Sequence, residues 1–167
     1  ASISNYVHQT DKWKQLLFIA ARGGVGKDVR LQANTIASLF ANKMNGSYRT
    51  LYMPDSLSEG AYSTMKKEPF IKEMMDLYER TNIIIHGIGD ALEMARRRNS
   101  SLEEIQRLEE IGAVSEAFGY YFNDQGEAVH RIRTIGVQLK QLENMEHLLA
   151  VAGGTKKANA LLSYFKQ

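Results

Sequence analysis

The segment Arg22-Gly23-Gly24-Val25-Gly26-Lys27-Asp28 sets two cations and three glycines directly after the apolar run Leu16-Leu17-Phe18-Ile19-Ala20. Glycine lets backbone N–H groups approach a ligand, and the positive end of a following helix favours negative charge. Such a loop, between a buried strand and a helix, suits an anion. The alternative is steric, because tight strand-to-helix turns need glycine whether or not a ligand is present. Two further strands end the same way, at Gly87-Ile88-Gly89 and Gly153-Gly154, the latter followed by Lys156 and Lys157. The repetition, with cations beside two of the loops, favours a ligand, and a phosphorylated one.

The ligand is not expected to be a nucleoside triphosphate. Gly23-Gly24-Val25-Gly26-Lys27 is similar to the core of a P-loop, but a P-loop needs Ser or Thr after its lysine to ligate magnesium. Asp28 stands there instead. It would repel phosphate, and it suits capping the next helix. No later strand ends in an acidic magnesium ligand, so ATPase and GTPase activity are excluded.

Other residues carry weaker signals. His86, at a strand end, could be a general base, although lone histidines are more often structural. His8, His130 and His147 lack metal-ligand spacing, so no metal is expected. Glu116 could be an acid/base, an acceptor for ligand hydroxyls or a surface carboxylate, and sequence alone favours the last. Arg96-Arg97-Arg98 suits a solvated helix end, yet one guanidinium of the three could turn inward to an anion. Phe118-Gly119-Tyr120-Tyr121-Phe122 could be core, interface or lid.

The elements that must position these groups alternate. Helices are expected over 28–44 (stopped by Asn45-Gly46), 58–66, 69–80, 91–98, from Ser101, and 156–165. Strands are expected at 16–20, 48–53, 82–86 and 148–152, with a hairpin across Asn123-Asp124-Gln125-Gly126. Strands alternating with helices predict a mostly parallel, doubly wound α/β sheet with helices on both faces, whose ligands bind outside the carboxyl ends of the strands.

Composition sets the bounds. The chain of 167 residues predicts a single domain with a real core. A net charge of +2, with no basic run beyond Arg96–Arg98, gives no footprint for direct nucleic-acid binding. The absence of cysteine excludes disulfides and thiolate metal sites and is consistent with a cytoplasmic setting. No stretch is apolar enough to span a membrane.

Taken together, Ala21–Gly26 with Gln32-Ala33-Asn34-Thr35, His86-Gly87-Ile88-Gly89, Ala95–Asn99, Glu116–Phe122 and Ala150–Gly154 resemble the effector-binding domain of the SorC family of bacterial transcriptional regulators. The likeness runs from about Leu16 onward with the motifs in the same order, and it is nearest to repressors of glycolytic genes. It implies a fold like that of sugar-phosphate isomerases and deaminases, used for sensing and not for catalysis. It implies a phosphorylated sugar as effector, fructose-1,6-bisphosphate for the nearest members, and no cofactor. It further implies operator DNA as a partner through a separate domain, and a homo-oligomer.

Carried over by motif, Arg22 would bind a phosphate with Gly23, Gly24 and Gly26, supported by Gln32. Arg97 would be the inward arginine, Glu116 would accept hydrogen bonds from sugar hydroxyls, and Lys157 would bind phosphate. Family members also carry an N-terminal DNA-binding domain, a Gly-Gly-Thr loop that completes one phosphate site, and a C-terminal strand and helix. The resemblance therefore implies that residues 1–167 are one sensing domain cut from a longer chain. Arg22→Ala is expected to abolish the response to a bisphosphate without harming the fold. The competing reading is an isomerase or deaminase on the same fold, with Glu116 and His86 as its acid/base candidates.

Overall fold

The computed structural model describes residues 2–10, 15–25 and 27–166. The chain divides into two compact units, one of residues 1–75 with 134–136, the other of residues 76–133 with 137–167. Both mix helices with parallel strand pairs.

In the first unit, β1 (Leu17–Ile19) pairs in parallel with β2 (Ser47–Arg49). Between them runs α1 (Ala33–Lys43), which buries Ala37, Phe40 and Ala41. Those positions recur at i, i+3 and i+4, the spacing of one helix face. The helix stops as expected. Asn45 takes the left-handed conformation (φ 49°) and the Gly46 N–H donates to the Ala41 carbonyl at 2.9 Å, which satisfies a helix-end acceptor. Asp28 accepts from the Arg30 N–H at 3.0 Å and so caps the short 3-10 turn Val29–Leu31 that precedes α1. Two more helices, α2 (Glu59–Met65) and α3 (Pro69–Glu79), lie where the sequence placed them.

In the second unit, β3 (Ile83–Gly87) pairs in parallel with β8 (His147–Val151). Their ladder leaves Ile83, Ile85, Leu148, Leu149 and Val151 accessible. The expected hairpin forms between β6 (Tyr120–Phe122) and β7 (Ala128–Arg131). It belongs to a larger antiparallel sheet in the order β4 (Gly89–Asp90), β5 (Ser115–Ala117), β6, β7. The two extra strands carry no alternating apolar pattern over four or more residues, which is why sequence reading passes over them.

Helix α4 (Ala91–Arg97) leaves β4 directly, capped by Asp90, whose carboxylate accepts from the Glu93 N–H at 2.9 Å. Helix α5 (Leu102–Glu110) is capped by Ser101, which accepts from the Glu104 N–H. Ala91, Ala95, Leu108, Tyr121 and Ile132 form the core beneath these helices. The two alanines let α4 approach closely enough for its last turn to reach the sheet. After a short α6 (Leu139–Leu142), the chain ends in α7 (Ala158–Tyr164).

Among the described residues, no helix is long and apolar enough to cross a membrane.

Glycine is needed where backbone crowds it. A Cβ on Gly23 would stand 2.5 Å from the Pro54 carbonyl oxygen, whereas one on Gly60 in α2 meets nothing within 4 Å. Gly23→Ala is therefore expected to destabilise the protein by about 1–3 kcal/mol, and Gly60→Ala to stabilise it by about 0.5–1 kcal/mol. Urea denaturation of both variants checks the contrast.

Candidate functional site

In the first unit the loop after β1 folds back on Met53-Pro54-Asp55. The Gly24 N–H donates to the Met53 carbonyl at 3.0 Å, and the Asp55 N–H donates to the Gly24 carbonyl at 3.1 Å. Gly24 thus uses its N–H within the protein, and close packing accounts for glycine at 23 and 24. Arg22 forms an ion pair with Asp55, their side chains 12% and 4% exposed. Gln32 comes to the same place. A Cβ on Gly24 would lie 3.0 Å from the Gln32 Oε1. Arg22, Gly23, Gly24 and Gln32 are therefore brought together. Gly26, the remaining loop candidate, lies outside the described residues. Lys27 is exposed.

In the second unit the candidates gather around α4. Glu116 sits in the inner strand β5, opposite Gly89 on one side and Tyr121 on the other. Strand alternation sends its neighbour Ser115 to the opposite face, where the Ser115 hydroxyl meets that of Ser163 in α7 at 2.8 Å. Glu116 is buried, which removes the surface-carboxylate alternative. Its Oε1 accepts from the Arg98 guanidinium at 3.0 Å and from the Gly119 N–H at 2.7 Å. Arg98 also donates to the Tyr121 hydroxyl at 3.2 Å. The turn that delivers the Gly119 N–H uses the left-handed region twice, at Phe118 (φ 55°) and Gly119 (φ 83°).

The inward arginine of the triplet is thus Arg98, where Arg97 was expected. The Arg98 side chain is 5% exposed, as is that of Glu116. Arg97 is exposed and lies 3.8 Å from the Met94 sulfur. The reason is helical geometry. Ala91, Ala95 and Arg98 fall at i, i+4 and i+7 on one face, and Arg97 falls one residue off it. That spacing was available in the sequence and pointed to Arg98.

Lys157 donates to the Glu93 carboxylate of α4 at 2.8 Å. It follows Gly154, whose φ of 94° favours glycine. Asp55 and Glu93, the acidic partners of Arg22 and Lys157, have no signal in the sequence. They are distant in the chain and fit no motif.

His86 lies in the same unit. Its Nε2 meets the Tyr164 hydroxyl at 3.2 Å, and its ring lies tilted by 41° against Phe118 with centroids 4.5 Å apart. Burial pushes its pKa down, partly offset by the Gly87 carbonyl and the Glu116 charge. Among the described residues no group of three or more His, Asp or Glu side chains could hold a metal ion.

Comparisons with known proteins give the family. A family model described as "Putative sugar-binding domain" matches residues 1–167. The chain belongs to this sugar-binding family of SorC-type regulators. It is 44% identical over 166 residues to the Central glycolytic genes regulator of Bacillus subtilis, covering 99% of this chain and 49% of the relative. The regulator of the same name from Priestia megaterium is 43% identical, with 49% of its length covered. The chain thus spans about half the length of these curated relatives. Among solved structures, a "putative SorC family transcriptional regulator" from Enterococcus faecalis is 44% identical, with a TM-score of 0.83 over 91% of this chain and 62% of that one. The full-length sorbitol operon regulator SorC from Klebsiella pneumoniae shares the fold at a TM-score of 0.90 and 15% identity, covering 99% of this chain and 56% of that one.

Two expectations follow. First, Arg22→Ala leaves Asp55 buried without its cation, which changes the initial expectation of an undamaged fold. Removing one partner of a buried pair costs about 3–5 kcal/mol, so Arg22→Ala should unfold at markedly lower urea, and the double variant Arg22→Ala/Asp55→Ala should recover most of the loss. Second, a histidine whose folded pKa lies below its unfolded value of about 6.5 binds fewer protons folded than unfolded. Its stabilisation is complete above that value and is lost as the pH falls below it. The urea midpoint should therefore drop between about pH 7.5 and pH 5.5, and drop less in His86→Gln. Equal drops would remove His86 as a source of the effect.

Proposed function

We propose that this chain is the effector-sensing domain of a bacterial repressor of glycolytic genes, and that its effector is a phosphorylated sugar, fructose-1,6-bisphosphate. The observation that carries this is the 44% identity over nearly the whole chain to a regulator of central glycolytic genes. The site residues support it. Glu116 offers a fixed carboxylate of the kind that accepts hydrogen bonds from sugar hydroxyls. In the second unit Lys157 and Arg97 are proposed phosphate contacts, and in the first unit Arg22 with Gln32 and the glycine loop. Arg22 and Lys157 already hold carboxylates, so a phosphate must share or replace those partners.

The reading extends to the whole protein. Effector binding shifts an equilibrium between arrangements of a homo-oligomer and so alters the affinity of a separate domain for operator DNA in the cytoplasm. The fold is proposed to be that of the sugar-phosphate isomerases and deaminases, a doubly wound sheet with helices on both faces. The alternative is an isomerase or deaminase on the same fold; that the relatives are named as transcriptional regulators favours sensing.

Thermal unfolding of the full-length protein tests the reading. Fructose-1,6-bisphosphate at a hundredfold its dissociation constant should stabilise by about 2.7 kcal/mol, a shift of a few degrees. Glu116→Gln and Lys157→Met should each lower that response. No shift at millimolar ligand would remove fructose-1,6-bisphosphate as the effector. Turnover of a sugar phosphate, lost in Glu116→Gln, would restore the enzyme reading.

A further inference from the structure

We infer that Arg98 is a positioning residue for sugar recognition. It holds the Glu116 carboxylate in one orientation. The inference rests on the reading of Glu116 as the acceptor for sugar hydroxyls.

The geometry has three parts. Arg98 spans two strands, with one guanidinium nitrogen on the Glu116 Oε1 at 3.0 Å and the other on the Tyr121 hydroxyl at 3.2 Å. Glu116 and Tyr121 are direct cross-strand partners in β5 and β6. The guanidinium also lies 5.9 Å from the Tyr121 ring centroid. The planar fork is therefore held on two sides and cannot swing without leaving both partners. The Gly119 N–H, at 2.7 Å, holds the same carboxylate oxygen from the chain's own turn. With both side chains 5% exposed, the pair is shielded from the water that weakens surface ion pairs.

Arg98 also terminates α4, its N–H donating to the Met94 and Ala95 carbonyls at 3.1 Å. That cap is made by backbone and survives a change of side chain. Arg98 is not itself proposed to touch the ligand; its guanidinium sets a residue that is.

The arrangement makes selectivity the discriminating readout. If Arg98 orients the acceptor for hydroxyls, disturbing it should weaken ligands that carry hydroxyls and spare ligands that do not. Arg98→Lys keeps the charge, but a single ammonium cannot reproduce the fork that bridges Glu116 and Tyr121. Calorimetric titration of the full-length protein compares fructose-1,6-bisphosphate with hexane-1,6-diol bisphosphate, which has the two phosphates and no hydroxyls. Arg98→Lys should weaken the sugar about tenfold or more and leave the hydroxyl-free bisphosphate within about twofold. Tyr121→Phe removes the second anchor and keeps the ring. It should weaken the sugar roughly threefold, and it serves as the test if Arg98→Lys does not fold.

Equal weakening of both ligands would mean a structural role only and would overturn the inference. So would unchanged sugar affinity in Arg98→Lys or Tyr121→Phe while Glu116→Gln loses it. If Glu116→Gln itself binds the sugar as the wild type does, the reading of Glu116 fails first, and the inference with it.

Discussion

The buried pair between Arg98 and Glu116 is the constraint around which the second unit is arranged. Two charges removed from water are tolerated only when each is met by its partner and by further hydrogen bonds. Those requirements dictate the surroundings. Tyr121 must stand opposite Glu116 on the neighbouring strand so that its hydroxyl meets the guanidinium. The turn after β5 must enter the left-handed region so that the Gly119 N–H can reach back to the carboxylate. Helix α4 must come close, which its buried alanines at 91 and 95 permit. A carboxylate fixed in this way offers its hydrogen-bonding capacity in one direction.

The first unit repeats the principle with different parts. Arg22 is paired with the nearly buried Asp55, and the glycine loop lies against the backbone that carries Asp55. A loop that looks open to a ligand in sequence is in this structure packed by its own chain. Lys157 with Glu93 is the more exposed version of the same arrangement, its glutamate side chain 53% accessible. Arg22 and Lys157 are thus each matched to a carboxylate.

Much of this was legible in sequence. The strand and helix alternation, the Asn45-Gly46 stop, the caps at Asp28 and Ser101 and the hairpin all rest on local rules, and local rules need no knowledge of distant residues. The family resemblance was legible because several motifs kept their order along the chain. The two-residue strand at Gly89-Asp90 and the three-residue strand at Ser115–Ala117 were not, since strands that short exist only through their neighbours. Arg98 is intermediate. Its helical phase marked it as inward, but composition made a run of three arginines look solvated. Asp55 and Glu93 could not be found at all, because an ion pair between distant residues leaves no periodicity.

The most direct measurement is a crystal structure of the full-length protein with fructose-1,6-bisphosphate bound. A sugar hydroxyl within hydrogen-bond distance of the Glu116 carboxylate, with the Arg98–Glu116 pair intact, is the expected result. Sugar bound away from Glu116, or the pair broken to admit it, would contradict a fixed acceptor as the basis of recognition.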